Sequence, residues 1–322
     1  ERRQLGRGEQ GGLVGGIRGP GWGIRRWSRI PDSGWSRVPD PGSPFPLFCM
    51  RGEFLDVNGV RLYYYAAGSR GAGEPILLLH GFPTSGHLWN RVVPLLPEGH
   101  RVVVLDLLGY GRSDPPGRMS MGLRAHADRV VAVLDHLRID VACIAGHDLG
   151  GGIAQSVAVR HPGRVSRMCL VNSACAGSWP TRSARLARAL LPITRRLPAP
   201  WIHGVLKSEL LRGYQDSERA MHEVEIFLRP FAGDEGRAAL IAHLAGLSRE
   251  ETRELSEGLR AVTAPTAILW GELDPFLPAT AGRRLQSAIP GSTFEVVSGA
   301  KHFLPIESAG TVAACVGSLL SA

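Results

Sequence analysis

The sequence predicts an α/β domain built on a mostly parallel, twisted sheet, with helices on both faces and a helical insertion ahead of the penultimate strand. Three observations carry that expectation. Short continuous apolar runs recur along the chain, as strands buried on both faces require. Helical stretches alternate with them, the order that brings successive strands parallel. One long interval, residues 178–260, holds no convincing strand.

The first element is a hairpin over 53–66 (EFLDVNGVRLYYYA), which turns on Asn58-Gly59 because both residues tolerate positive φ. Buried strands are expected at 76–80 (ILLLH), 101–106 (RVVVLD), 141–146 (VACIAG), 167–172 (RMCLVN), 266–271 (TAILWG) and 293–298 (TFEVVS). Helices fall between most of them, including 122–138 and 150–160. Within 178–260 several helices are expected, separated by Pro192, Pro198, Pro200 and Pro230. An all-helical insertion between two sheet strands has the character of a lid. The expected organisation is therefore a core of residues 50–177 and 261–322, a helical cap of 178–260 and a leader of 1–49.

The leader carries 11 Gly and 6 Pro in 49 residues and no apolar periodicity, so a disordered appendage is expected. An eight-residue repeat lies within it, Trp27 to Gly34 followed by Trp35 to Gly42, too few copies for a solenoid. Met50 is an alternative start, since regular patterning begins just after it.

The formal net charge of +8 suggests a nucleic-acid partner at first sight. Only Lys207 and Lys301 are lysines among the 37 basic residues, however, and the leader alone sets eight Arg against four acids. No basic patch interleaved with aromatics remains outside it, so no nucleic-acid partner is expected. There is no run of eighteen apolar residues, and the first thirty residues carry Arg and Gly where a secretory signal needs an apolar stretch. A cytoplasmic protein with no membrane partner is expected, as a monomer or homodimer. Cys49, Cys143, Cys169, Cys175 and Cys315 are odd in number and lack CxxC spacing, so they read as reduced and structural.

The most informative segment is VACIAGHDLGGGIAQ, where an apolar strand runs through Gly146-His147-Asp148-Leu149-Gly150 into a helix. This has the form of a nucleophile elbow, G-x-S-x-G, with Asp148 in the nucleophile position. The glycines suit a sharp turn between closely approaching elements, and the helix N-terminus stabilises an anion there. Asp274 in LWGELDPFLP and His302 in VVSGAKHFLP follow later strands, so nucleophile, acid and histidine occur in the chain order of that architecture. His80-Gly81-Phe82-Pro83 follows an early strand, where the backbone N–H of Phe82, with that of Leu149, is placed to cradle an oxyanion.

Across 50–322 the HGFP, GYGRSDPP, GHDLGG, WGELDP and KHF segments resemble an α/β-hydrolase. An Asp nucleophile resembles the epoxide hydrolase and haloalkane dehalogenase branch of that superfamily. The resemblance implies that residues 178–260 are the cap and that Asp106 and Asp114 are structural loop residues.

A carboxylate is already anionic at neutral pH and attacks without a base. On an ester carbonyl it would generate an anhydride, whereas on a saturated carbon bearing a leaving group it gives a hydrolysable ester. The expected substrate is therefore a small hydrophobic epoxide or alkyl halide. His302, oriented by Asp274, would activate water against the ester, with no metal or organic cofactor required. The leaving-group donor departs from both family patterns. Dehalogenases resembling this chain carry Trp after the nucleophile and often Asn in the HG-x-P loop, where this chain has Leu149 and Phe82. Fluoroacetate dehalogenases, similarly, place Arg after the nucleophile. Epoxide hydrolases use two cap tyrosines, where 178–260 offers only Tyr214. Trp179 and Trp201 are the alternative indole donors. An epoxide hydrolase is the leading expectation, a haloalkane or haloacid dehalogenase the alternative, and a ligand-binding pseudo-hydrolase the alternative of another class.

Overall fold

A computed structural model describes residues 52–68, 73–175 and 177–321; the leader, its repeat, Cys49 and Met50 lie outside them. The chain runs β1 (Gly52–Val57), β2 (Val60–Ala67), β3 (Ile76–Leu79), β4 (Val102–Leu105), α1 (Leu123–His136), β5 (Ala142–His147), α2 (Leu149–Arg160) and β6 (Val165–Val171). The helices α3 (Arg182–Ala189), α4 (Leu191–Thr194), α5 (Ala199–Arg212), α6 (Ser217–Leu228), α7 (Gly233–Gly246) and α8 (Arg249–Gly258) follow without an intervening strand. Then come β7 (Thr266–Gly271), α9 (Ala279–Ala288), β8 (Thr293–Val297), α10 (Leu304–Glu307) and α11 (Ala309–Ser321).

The eight strands form one sheet in the order β1-β2-β4-β3-β5-β6-β7-β8. The hairpin pairs β1 with β2 antiparallel, and Asn58 and Gly59 take φ of 53° and 82°, the positive pair that matches a two-residue loop to strand twist. β2 meets β4 antiparallel, and every other pairing is parallel. The parallel strands β3, β4, β5 and β7 are buried at every position, which is why they read as unbroken apolar runs. β3 lies between β4 and β5, so the chain leaves it toward opposite sides of the sheet. That reversal opens a crevice at the carboxyl ends of β3 and β5, where ligands of open α/β sheets bind.

The prolines of the insertion begin helices. Pro192 and Pro200 occupy the first turns of α4 and α5, Pro198 precedes α5, and Pro230 sits in the first turn of a short 3-10 helix at 229–231. A first-turn N–H has no intrahelical partner, so a residue without one is tolerated there. Polar contacts seat the insertion on the sheet domain. Glu251 accepts the Leu123 N–H at 2.7 Å and so caps α1, and Glu223 meets His87 at 2.5 Å and Arg91 at 3.1 Å. Cys143, Cys169 and Cys175 are buried and unbridged, and Cys315 is also unbridged. Among the described residues no helix is long and apolar enough to cross a membrane.

Candidate active site

Asp148 joins β5 to α2 with φ 47° and ψ −116°, a conformation that costs a side-chain-bearing residue about 1–3 kcal/mol. The surroundings over-determine it. Its N–H donates to Val171 O, and its own carbonyl accepts from Gly151, Gly152 and Ala174. Close approach explains the glycines: a Cβ on Gly146 would fall against the Gly150 carbonyl, and one on Gly150 would lie 2.5 Å from the His80 carbonyl oxygen. Gly150→Ala is accordingly expected to lose about 1–3 kcal/mol of stability by overpacking. A lowered urea midpoint with unchanged slope is the expected reading; an unchanged midpoint would contradict this account of the turn.

The Asp148 carboxylate is 3% exposed. The Phe82 N–H donates to its Oδ2 at 2.9 Å, and the Leu149 N–H, at the start of α2, also hydrogen-bonds it. Burial is the largest influence on its acidity and raises its pKa to about 6. His302 and the two N–H groups oppose that rise, and Asp274 adds slightly to it. The group is therefore an anion at neutral pH, though one poorly solvated.

His302 is equally buried and donates Nδ1–H to Asp274 Oδ2 at 2.8 Å, which leaves the lone pair on Nε2 in the neutral ring. Asp274 is itself held on all sides. Oδ1 accepts from the Phe276 and Leu277 N–H groups at 2.8 and 3.0 Å, and Oδ2 also accepts from Asn172 at 2.6 Å. Burial works against the imidazolium, but the charge and hydrogen bond of Asp274, with the charge of Asp148, outweigh it and raise the His302 pKa above its ordinary value. A buried carboxylate, a histidine responsive to its charge and an acid fixing that histidine's tautomer can together perform attack followed by hydrolysis.

The expected leaving-group donors are not gathered here. Tyr214 stacks on Phe303 at 4.2 Å, but it lines a cavity of about 220 Å³ with Arg91, Glu223 and Glu307, and the charges that reach its hydroxyl are those three. Trp179 lines a second cavity, of about 300 Å³, beside Arg185, Arg249 and Arg253. Trp201 is 70% exposed on α5, and an indole facing water does not suit charge developing at a buried carboxylate. Asp106 and Asp114 brace loops: Asp106 accepts from the Gly86 and Arg112 N–H groups, and Asp114 takes the Arg61 backbone and guanidinium.

Three residues escape a sequence reading. Asn172 directly follows β6 and orients Asp274. His147 donates Nε2–H to the His302 carbonyl at 3.0 Å, and burial lowers its pKa so that it stays neutral. Tyr110, in the GYGRSDPP loop, is buried and feels the charge of Asp148. An Asn directly after a strand and the elbow's own His were the available signals for the first two. Among the described residues no group of His, Cys, Asp and Glu could hold a metal ion.

Comparison with known proteins identifies the fold and the family. Residues 74–309 match the family model of the alpha/beta hydrolase fold. The chain is 29% identical over 286 residues to a 2-hydroxymuconate semialdehyde hydrolase of Pseudomonas sp. (strain CF600), covering 84% of this chain and 94% of that one. It is 29% identical over 289 residues to haloalkane dehalogenase 2 of Mycobacterium tuberculosis, covering 84% and 95%. Among solved structures, an alpha/beta hydrolase fold protein from Burkholderia ambifaria superposes with a TM-score of 0.75 at 24% identity, covering 82% of this chain and 96% of that one, a likeness of fold. With its sheet order, its elbow and a match over most of its length, the chain belongs to the alpha/beta hydrolase fold family and is a hydrolase of that fold.

Proposed function

We propose that this hydrolase uses Asp148 as a nucleophile on saturated carbon, forms an alkyl ester and releases it by hydrolysis, with small apolar epoxides as substrates. The observation that carries the reading is a carboxylate at the tip of the strand-to-helix turn, with Oδ2 held by the Phe82 N–H at 2.9 Å. Attack by Oδ1 leaves Oδ2 as the ester carbonyl oxygen, already on the donors that will stabilise the oxyanion of the second step. Esterification also removes one of the charges that raise the His302 pKa. The imidazole is thus more fully available in its unprotonated form once there is an ester for its water to attack.

Epoxides are favoured over halides because neither Leu149 nor Phe82 has a side-chain donor for a halide, and because the Trp201 indole is in solvent. Similarity to a relative named haloalkane dehalogenase 2 favours the second reading, a dehalogenase. Terminal epoxides are expected to yield vicinal diols. The alkylation rate should fall as pH drops through about 6, because burial raises the Asp148 pKa and its protonated form is no nucleophile. Single-turnover rapid-quench assays across pH check this. Bromide release from bromoalkanes without diol from epoxides would favour the second reading, and activity retained well below pH 6 would contradict an Asp148 nucleophile.

A further inference from the structure

Ring opening leaves a negative charge on oxygen next to a buried carboxylate, so a proton donor must face it. Tyr110 has the right chemistry and an unfilled hydrogen-bonding capacity. Tyr110 is 1% exposed, and its hydroxyl has no hydrogen-bond partner among the described residues. Buried polar atoms are nearly always paired, and an orphaned hydroxyl beside a reactive carboxylate marks a place for a ligand atom.

Its position is fixed from both sides. The Tyr110 ring lies 4.0 Å from that of His243 on α7 and packs edge-on against His80 at 5.2 Å, Phe231 at 6.0 Å and Phe82 at 6.4 Å. Phe82 is the residue whose N–H holds Asp148. The loop is braced as well, since Tyr110 N–H donates to Leu107 O and its carbonyl accepts from Ser113, each at 3.0 Å. The charge that raises the Tyr110 pKa, after burial, is that of Asp148.

The neighbouring imidazoles are poor substitutes. Burial lowers the pKa of His80 to about 4 and that of His243 to about 3, so both are neutral. His80 spends its ring nitrogens on the Gly81 carbonyl and the Leu107 N–H, and His243 turns Nε2 toward the Gly109 carbonyl.

We propose that the Tyr110 hydroxyl delivers the proton taken up by the epoxide oxygen as Asp148 opens the ring, beside the aromatic side chains of Phe82 and Phe231, which favour an apolar ring substituent. The inference rests on the epoxide reading above. The Asp148–carbon bond forms as the ring carbon–oxygen bond breaks; the electron pair leaves on oxygen and takes the phenolic proton, leaving a phenolate. His302 then takes a proton from water, and hydroxide adds to the ester carbonyl. The adduct collapses to the Asp148 carboxylate and the diol, which leaves with the adduct's hydroxyl proton. The imidazolium returns its proton to Tyr110. The sum is epoxide plus water giving diol.

Tyr110→Phe keeps the ring and removes only the hydroxyl. The variant should melt within a few degrees of the parent and open styrene oxide at least about 10²-fold more slowly in single turnover, as loss of a general acid does. The bromide of a primary bromoalkane needs no proton, so the alkylation rate with that probe should be unchanged. Equal slowing with both probes would indicate a packing role and overturn the proposal, as would styrene oxide opening at the parent rate. A parent protein that opens no epoxide would instead overturn the reading on which the proposal rests.

Discussion

Asp148→Asn is expected to abolish diol formation, with a loss on the order of 10⁴-fold or more, the scale on which removal of a covalent nucleophile is felt. The substitution is nearly isosteric, so the Phe82 hydrogen bond to the side-chain oxygen and the strained turn are retained. What disappears is the anion. An amide does not alkylate, and the His302–Asp274 pair alone would have to direct water onto an unactivated carbon. Stability is expected to rise slightly, because the buried charge whose desolvation raises the Asp148 pKa is gone. Unaltered steady-state turnover in this variant would exclude the ester mechanism.

His302→Gln is expected to separate the two steps. Alkylation by the Asp148 anion does not need His302, whereas hydrolysis needs a base toward the ester carbonyl, so one equivalent of substrate is consumed and turnover then stops. Steady-state turnover should fall by roughly 10³–10⁴-fold or more, as removal of an essential histidine does. Loss of His302 also removes the charge that opposes the rise in the Asp148 pKa, so the alkylating step should need a higher pH than in the parent. Rapid quench at pH 8 reads the burst, and continued turnover at the parent rate would show that His302 is no base.

The sheet was legible because each parallel strand is buried on both faces and therefore apolar throughout. Its edges moved by a residue or two. β6 begins at Val165, ahead of its apolar run, because Val165 and the half-buried Arg167 still pair with Ala142 and Cys143 of β5, across a register shift at Ser166. The elbow was legible because Gly146 and Gly150 answer backbone demands that no other residue meets. Asp274 and His302 were visible as polar residues at strand ends. The arrangement around them was not, since His147 reaches the His302 carbonyl across 155 residues of chain and Asn172 reaches Asp274 across 102. Which face of a helix looks outward was also hidden. Trp201, an indole-donor candidate by sequence, and Val205 lie one turn apart on α5 and are both 70% exposed. Tyr110 passed as a loop residue because its neighbours His243 and Phe231 come from the insertion, more than a hundred residues away.

The most direct test of the alkyl-ester account is the intact mass of His302→Gln protein after incubation at pH 8 with a panel of terminal epoxides and bromoalkanes, followed by peptide mapping. The account predicts one adduct per chain on the peptide containing Asp148, heavier by a whole epoxide molecule. An adduct equal to an alkyl group without its halogen would retain the Asp148 nucleophile and reassign the substrate to a halide. A folded protein that converts epoxide to diol with no adduct at Asp148, or with the label on another residue, would contradict it.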